Sequence, residues 1–149
     1  MGFGFGLTSG VITTIGLITG LYATTHSKLV VIGGILSIAI ADALSDAMGM
    51  HITQECRECS TRDVWEASAA TFASKFIFAL TFIIPIVLFP LNIAVLVSII
   101  WGLLLIGFFT GYLNNKKKRM QEITLHLLMA GIVVVATYCV GQWVARAFL

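Results

Sequence analysis

Ala39–His51, AIADALSDAMGMH, closes a long apolar run and yet carries two carboxylates, Asp42 and Asp46. They stand four residues apart, so on a helix they share one face, one turn above the other. Ser45, Gly49 and Met50 lie on or beside that face, and the glycine would let another backbone come close. An acid inside a membrane span costs several kcal/mol unless it is paired, protonated or facing water. These two acids are therefore the first functional candidates in the chain.

The surrounding composition decides that the run belongs in a membrane. Of 149 residues, 58% are hydrophobic and only 11% charged, and the mean hydropathy is +1.00. A soluble domain carries roughly a quarter charged residues. Five apolar stretches reach the ~20 residues that a spanning helix needs: Phe5–Thr25, Leu29–Met50, Ala67–Phe89, Leu91–Leu113 and Ile123–Phe148. The expected fold is an all-α integral membrane protein of five transmembrane helices in one domain, 1–149. His26-Ser27-Lys28 separates the first two spans, and Pro90 and Asn92 separate the third and fourth. The start, MGFGFGLTSG, has neither a basic n-region nor a cleavage pattern, and no convincing myristoylation motif follows Met-Gly. Three cysteines without disulfide-like spacing give no extracellular framework.

Charge sets the expected orientation. His51–Glu66 and Asn114–Glu122 both fall on the side of the N-terminus and, with Lys75, hold seven of the nine Lys and Arg. Lys28 and Arg146 lie on the other side. The positive-inside rule then puts the N-terminus in the cytosol and the C-terminus outside or in a lumen, in a cell membrane or an organelle membrane. The run Lys116–Arg119 reads as a topology anchor attracted to anionic lipid. So little surface remains outside the bilayer that nucleic-acid binding is not expected.

Lys75 lies about two turns into the third span, at the depth of Asp42 and Asp46. One reading is a structural ion pair that holds two helices in register. One ammonium cannot neutralise two carboxylates, however, and the second acid then needs a proton, a cation or water. Carboxylate oxygens suit hard or borderline cations such as Mg²⁺, Mn²⁺ or Fe²⁺, and Met48 and Met50 could add thioethers, although membrane methionines mostly pack. Beyond the second span, His51, Glu55, Cys59 and Glu66 would fall near one side of a helical extension, with Glu58 and Asp63 beside it. The alternatives there are a solvated connector and a cation-collecting site. Cys56-x2-Cys59 is half of a zinc pattern without its second half. His26 and His126 read as interfacial, with proton relay as the sharper alternative. Gly6-x3-Gly10, Gly16-x3-Gly20 and Gly107-x3-Gly111 form small-residue stripes for close helix packing. Pro85 should free the carbonyl of Thr81 and kink the third span. No Ser/His/Asp array, phosphate loop or HExxH is present, which leaves an enzyme reading without support, and no resident cofactor is expected.

Several motifs in order resemble the vacuolar iron transporter (VIT) family. They are Ser9-Gly10-Val11-x-Thr13-Thr14 with Gly20, Ala23, Ser27, Val31-Ile32 and Gly34; Ala41-Asp42-x2-Ser45-Asp46-Ala47-x-Gly49; Phe78-x2-Thr81-Phe82-x2-Pro85; and Gly131 with Ala136-Thr137-Tyr138-x2-Gly141. Met50–Glu58 takes the place of the family's next stretch, loosely. The resemblance implies a five-helix homodimer that exports Fe²⁺ or Mn²⁺ from the cytosol by proton antiport, with the first two spans lining the ion path. The family's first-span acid is Ser9 here, its second-span Met is Asp46, and its Glu-rich cytosolic insertion is reduced to His51–Glu66, as in a minimal member. On this reading Asp42 and Asp46 bind the ion or exchange the proton, and Ser9 and Met50 complete the site. His51 and Glu55 receive the ion at the cytosolic mouth, and Lys75 is the counter-ion of the ion-free state. The rival expectations are a relative that moves another cation or small solute, and a non-transporting membrane scaffold. A reporter fused after Leu149 should read extracytosolic; a cytosolic signal would overturn the orientation.

Overall fold

The computed structural model describes residues 2–57, 59–113 and 119–148. Within them the chain is helical throughout, with no strand. The elements are α1 (Gly2–Thr25), α2 (Lys28–Glu55), α3 (Thr61–Thr81), α4 (Ile83–Leu88), α5 (Leu91–Leu113) and α6 (Arg119–Phe148). Taking α3 and α4 as one interrupted span, five helices are long and apolar enough to cross a membrane. This is the pattern of a multi-pass membrane protein.

The expected spans are present, with ends that differ. Two helices run past their apolar stretch: α2 continues from Met50 to Glu55, and α3 begins at Thr61 rather than Ala67. Hydroxyl caps explain their starts. The Ser27 side chain accepts from Val30 N, and the Ser60 side chain from Asp63 N. The turn between α1 and α2 places His26 at φ 49°, the left-handed region that ends a helix, with its ring edge-on to Tyr22. Lys28 then donates to the Val87 carbonyl at 3.0 Å, which puts a cation on the C-terminal end of α4. Pro85 acts as the sequence suggests. Lacking an N–H, it leaves Thr81 without its i+4 donor. The helix breaks at Phe82, whose amide turns tightly back to Ala79 O at 3.2 Å.

The central helix is α1, which packs against α2, α3, α5 and α6. Its Leu7, Val11, Ile15 and Ile18 form the spine of the apolar core, joined by Val31 and Ile35 of α2, Phe82, Ile86 of α4 and Ile106 of α5. Gly6 and Gly10 let α3 approach, and Gly16 and Gly20 let α6 approach. A Cβ at Gly6 would collide with the Thr71 backbone and the Ser74 hydroxyl, and one at Gly10 would lie 2.8 Å from Lys75 Cγ. Gly107 and Gly49, expected at close contacts, have nothing within 4 Å of an added Cβ. Both sit on outward helix faces, so neither brings a second backbone of this chain close. The outward face of α2 is an apolar row at helical spacing, Leu36, Ile40, Leu44 and Met48. No packed seam joins α2 to α6 among the described residues; they flank α1 on either side.

Gly6→Ala should therefore lower stability by about 1–3 kcal/mol through overpacking. Gly49→Ala should be neutral or stabilising by up to about 1 kcal/mol. Thermal unfolding in detergent compares the two; equal effects would contradict this packing.

Candidate functional site

Three helices meet at Lys75. It is one of the largest fully buried side chains, 2% exposed, and its stem lies along Gly10 of α1. Its ammonium bonds three groups at once. Nζ lies 2.6 Å from Asp42 Oδ2, donates to Asp46 Oδ2, and donates to Ser9 Oγ at 3.0 Å. The α1 hydroxyls finish the cluster: Ser9 Oγ donates to Asp46 Oδ2 at 2.8 Å, and Thr13 Oγ1 donates to Asp42 Oδ2 at 2.9 Å. All these contacts fall on Oδ2 of each acid. The Asp42 and Asp46 side chains keep 26% and 23% exposure, against 2% for the lysine.

Helical geometry dictates the arrangement. Asp42 and Asp46 sit one turn apart on α2, and Ser9 and Thr13 sit one turn apart on α1. The pairs face each other in register, acid to hydroxyl, and α3 inserts one ammonium between them. With both acids ionised and Lys75 protonated, the cluster carries one net negative charge.

The other residues singled out from sequence lie elsewhere. Met50 Sδ accepts from Gln54 Nε2 at 3.6 Å, one turn beyond Asp46 on α2. His51 Nε2 is 3.4 Å from Glu55, its Nδ1 is 3.4 Å from Ser68 Oγ, and its ring stands edge-on to Trp65. His51 thus joins α2 to α3 nearer the N-terminal side of the membrane, with Glu55 beside it one turn along α2. The expected one-sided array running on to Cys59 and Glu66 does not form, because α2 stops at Glu55 and the chain turns. Cys59 Sγ donates to Gln54 Oε1 at 3.2 Å, and Glu66 pairs with Arg62 at 2.7 Å. Among the described residues no three of His, Cys, Asp and Glu gather as metal ligands. Glu58 and Lys116, Lys117 and Lys118 lie outside the described residues.

A cavity of about 490 Å³ reaches the cluster from the far face of the α1 hydroxyls. Thr8, Ser9 and Thr13 line it from α1, Thr110 from α5 and His126 from α6. The resemblance implies an ion path lined by the first two spans; this cavity is walled by α1, α5 and α6, with no residue of α2. Sequence reasoning missed Thr13 as an acid partner and Thr110 as a wall residue. For Thr13 a signal existed: it stands at i+4 from Ser9, the spacing of Asp42 and Asp46.

The fold and cluster are those of a multi-pass helical membrane protein in which a buried lysine is shared by two partly exposed aspartates. Comparison with protein-family models, with curated proteins and with solved structures finds no match. The resemblance to the iron transporter family rests on the quoted motifs alone.

Lys75→Met should cost about 3–5 kcal/mol, the penalty for stranding buried charges. Adding Asp42→Asn and Asp46→Asn should recover much of it, as read by thermal unfolding in detergent. A Lys75→Met variant as stable as the parent would contradict the triad.

Proposed function

We propose that the chain exchanges a small cation for protons across its membrane, with the triad as the exchange site. A divalent metal ion is the preferred cargo, and Fe²⁺ or Mn²⁺ exported from the cytosol is the form that the motif resemblance favours. The observation that carries this reading is one ammonium shared by two carboxylates that remain a quarter exposed, beside a cavity.

The chemistry follows from charge. In the ion-free state Lys75 occupies the place of a cation. A divalent ion binding between Asp42 and Asp46 would meet up to four carboxylate oxygens and the Ser9 and Thr13 hydroxyls, a donor set for a hard or borderline ion. It cannot share that space with an ammonium, so Lys75 gives up its proton as the ion enters. The site then passes from one net negative charge to neutrality, and a proton leaves for each ion bound. Met50, His51 and Glu55 make their contacts about one to two and a half turns away along α2 and belong to an approach route rather than to the exchange site.

A homodimer is part of the proposal. Partly exposed carboxylates cannot be left facing hydrocarbon, and a second copy laid over the α1 flank between α2 and α6 would cover them. A second reading keeps the fold and makes the triad a permanent rivet in a non-transporting scaffold. Lys75 bonding both acids and Ser9 together favours it.

Flux separates the two. Purified protein in liposomes should take up Mn²⁺ or Fe²⁺ in preference to Zn²⁺ and Mg²⁺ when a proton gradient is imposed, and Asp42→Asn with Asp46→Asn should reduce the rate at least tenfold. No uptake by the parent protein, or full uptake by the double variant, sinks transport and leaves the scaffold.

A further inference from the structure

Ser9 and Thr13, which bond the acids of the triad, also line a cavity. Its walls come from the beginning of α1, the end of α5 and the beginning of α6, which antiparallel spans place on the N-terminal side of the membrane. Ser9 and Thr13 belong to two environments at once. Each donates its hydroxyl proton to an acid of the triad, and each lines the cavity. A molecule in the cavity is therefore one hydroxyl away from Asp42 and from Asp46.

The wall chemistry indicates what that molecule is. A buried water needs two to four polar partners, and Thr8, Ser9, Thr13 and His126 supply them in a lining that is otherwise mostly apolar. Ser9 and Thr13 keep acceptor capacity after serving the acids. Thr8 Oγ1 donates back to Gly4 O at 2.9 Å and can still accept. His126 Nδ1 lies 2.8 Å from Glu122 O; a carbonyl can only accept, so Nδ1 carries the proton and Nε2 is left outside that bond. Thr110 also borders this space, but its hydroxyl is sealed from it and finds no partner among the described residues, like that of Ser98 elsewhere on α5, so the polar atoms on offer are those of α1 and His126. A space of this volume holds several waters at about 30 Å³ each.

We propose that this cavity is a water-filled vestibule connecting the N-terminal side of the membrane to the triad through Ser9 and Thr13, with Thr8 and His126 as its outer polar groups. It deepens the transport reading above by naming the route of protons and hydrated ions to the exchange site. Its water content, however, is measurable without any flux.

The test uses the full chain with Cys56, Cys59 and Cys139 replaced by Ser, in vesicles of known orientation, and a membrane-impermeant cationic thiol reagent. Ile12→Cys places the probe on the cavity wall. Leu104→Cys places it at matching depth on the outward face of α5, where the side chain is exposed to lipid. From the N-terminal side, Ile12→Cys should react at least tenfold faster than Leu104→Cys, and His126→Trp, which fills the cavity, should slow it about tenfold. Thr8→Cys repeats the measurement one turn nearer the membrane surface if Ile12→Cys does not fold. Reaction no faster than at Leu104→Cys, as in a space filled by lipid tails, or reaction only from the opposite side, overturns the vestibule. Fast reaction in a protein that carries no cation keeps the vestibule and removes the transporter; slow reaction in a protein that does carry one has the reverse meaning.

Discussion

One ammonium holding two carboxylates in the middle of an apolar bundle is the constraint to which the other features answer. Burying the ammonium and most of both carboxylates costs several kcal/mol, and their mutual attraction offsets this only when geometry and extra hydrogen bonds are good. Here the geometry is supplied by three helices together: α2 holds Asp42 and Asp46 one turn apart, α3 brings Lys75, and α1 sets Ser9 and Thr13 opposite the acids. None of those helices could be moved by a turn without stranding a charge. The triad therefore fixes register, whatever else it does.

The small residues of α1 serve the same end. Gly6 and Gly10 bring α3 against α1, and without Gly10 the Lys75 stem could not lie where it does. On the opposite flank Gly16, Gly20 and Gly141 bring α6 against α1, where Thr19 and Thr137 share a hydrogen bond of 2.9 Å. The bundle thus has a charged layer toward its N-terminal side and a neutral hydroxyl layer beyond it. Both layers border a cavity, but only the first carries charge, which is why it and not the threonine pair is the place for chemistry.

Much of this could be read from residues alone, for identifiable reasons. Long apolar runs define spans, so five helices were legible in composition. A proline that lacks an N–H defines a break, and that was legible at Pro85. The matching depths of Lys75 and the two acids followed from counting residues along antiparallel spans. Partnership with both acids at once did not follow, because it depends on the rotation of α3 about its own axis. Thr13 and Thr110 were passed over since hydroxyls in membrane helices mostly bond the carbonyl one turn back. The stretch after Met50 misled for a different reason. Helical spacing was extended through Cys59, while the Ser60 cap starts a new helix and turns the chain. Gly49 was assigned a close approach from residue type alone, and its helix face is open.

Whether the triad is a rivet or an exchange site turns on a single event, displacement of the lysine proton by an incoming cation. It can be observed directly, in weakly buffered detergent solution, by adding Mn²⁺ to the purified protein and measuring proton release with a pH indicator. Exchange gives about one proton per bound ion in the parent protein and none in the Asp42→Asn/Asp46→Asn variant. No release from the parent, or equal release from both proteins, would contradict an exchangeable Lys75.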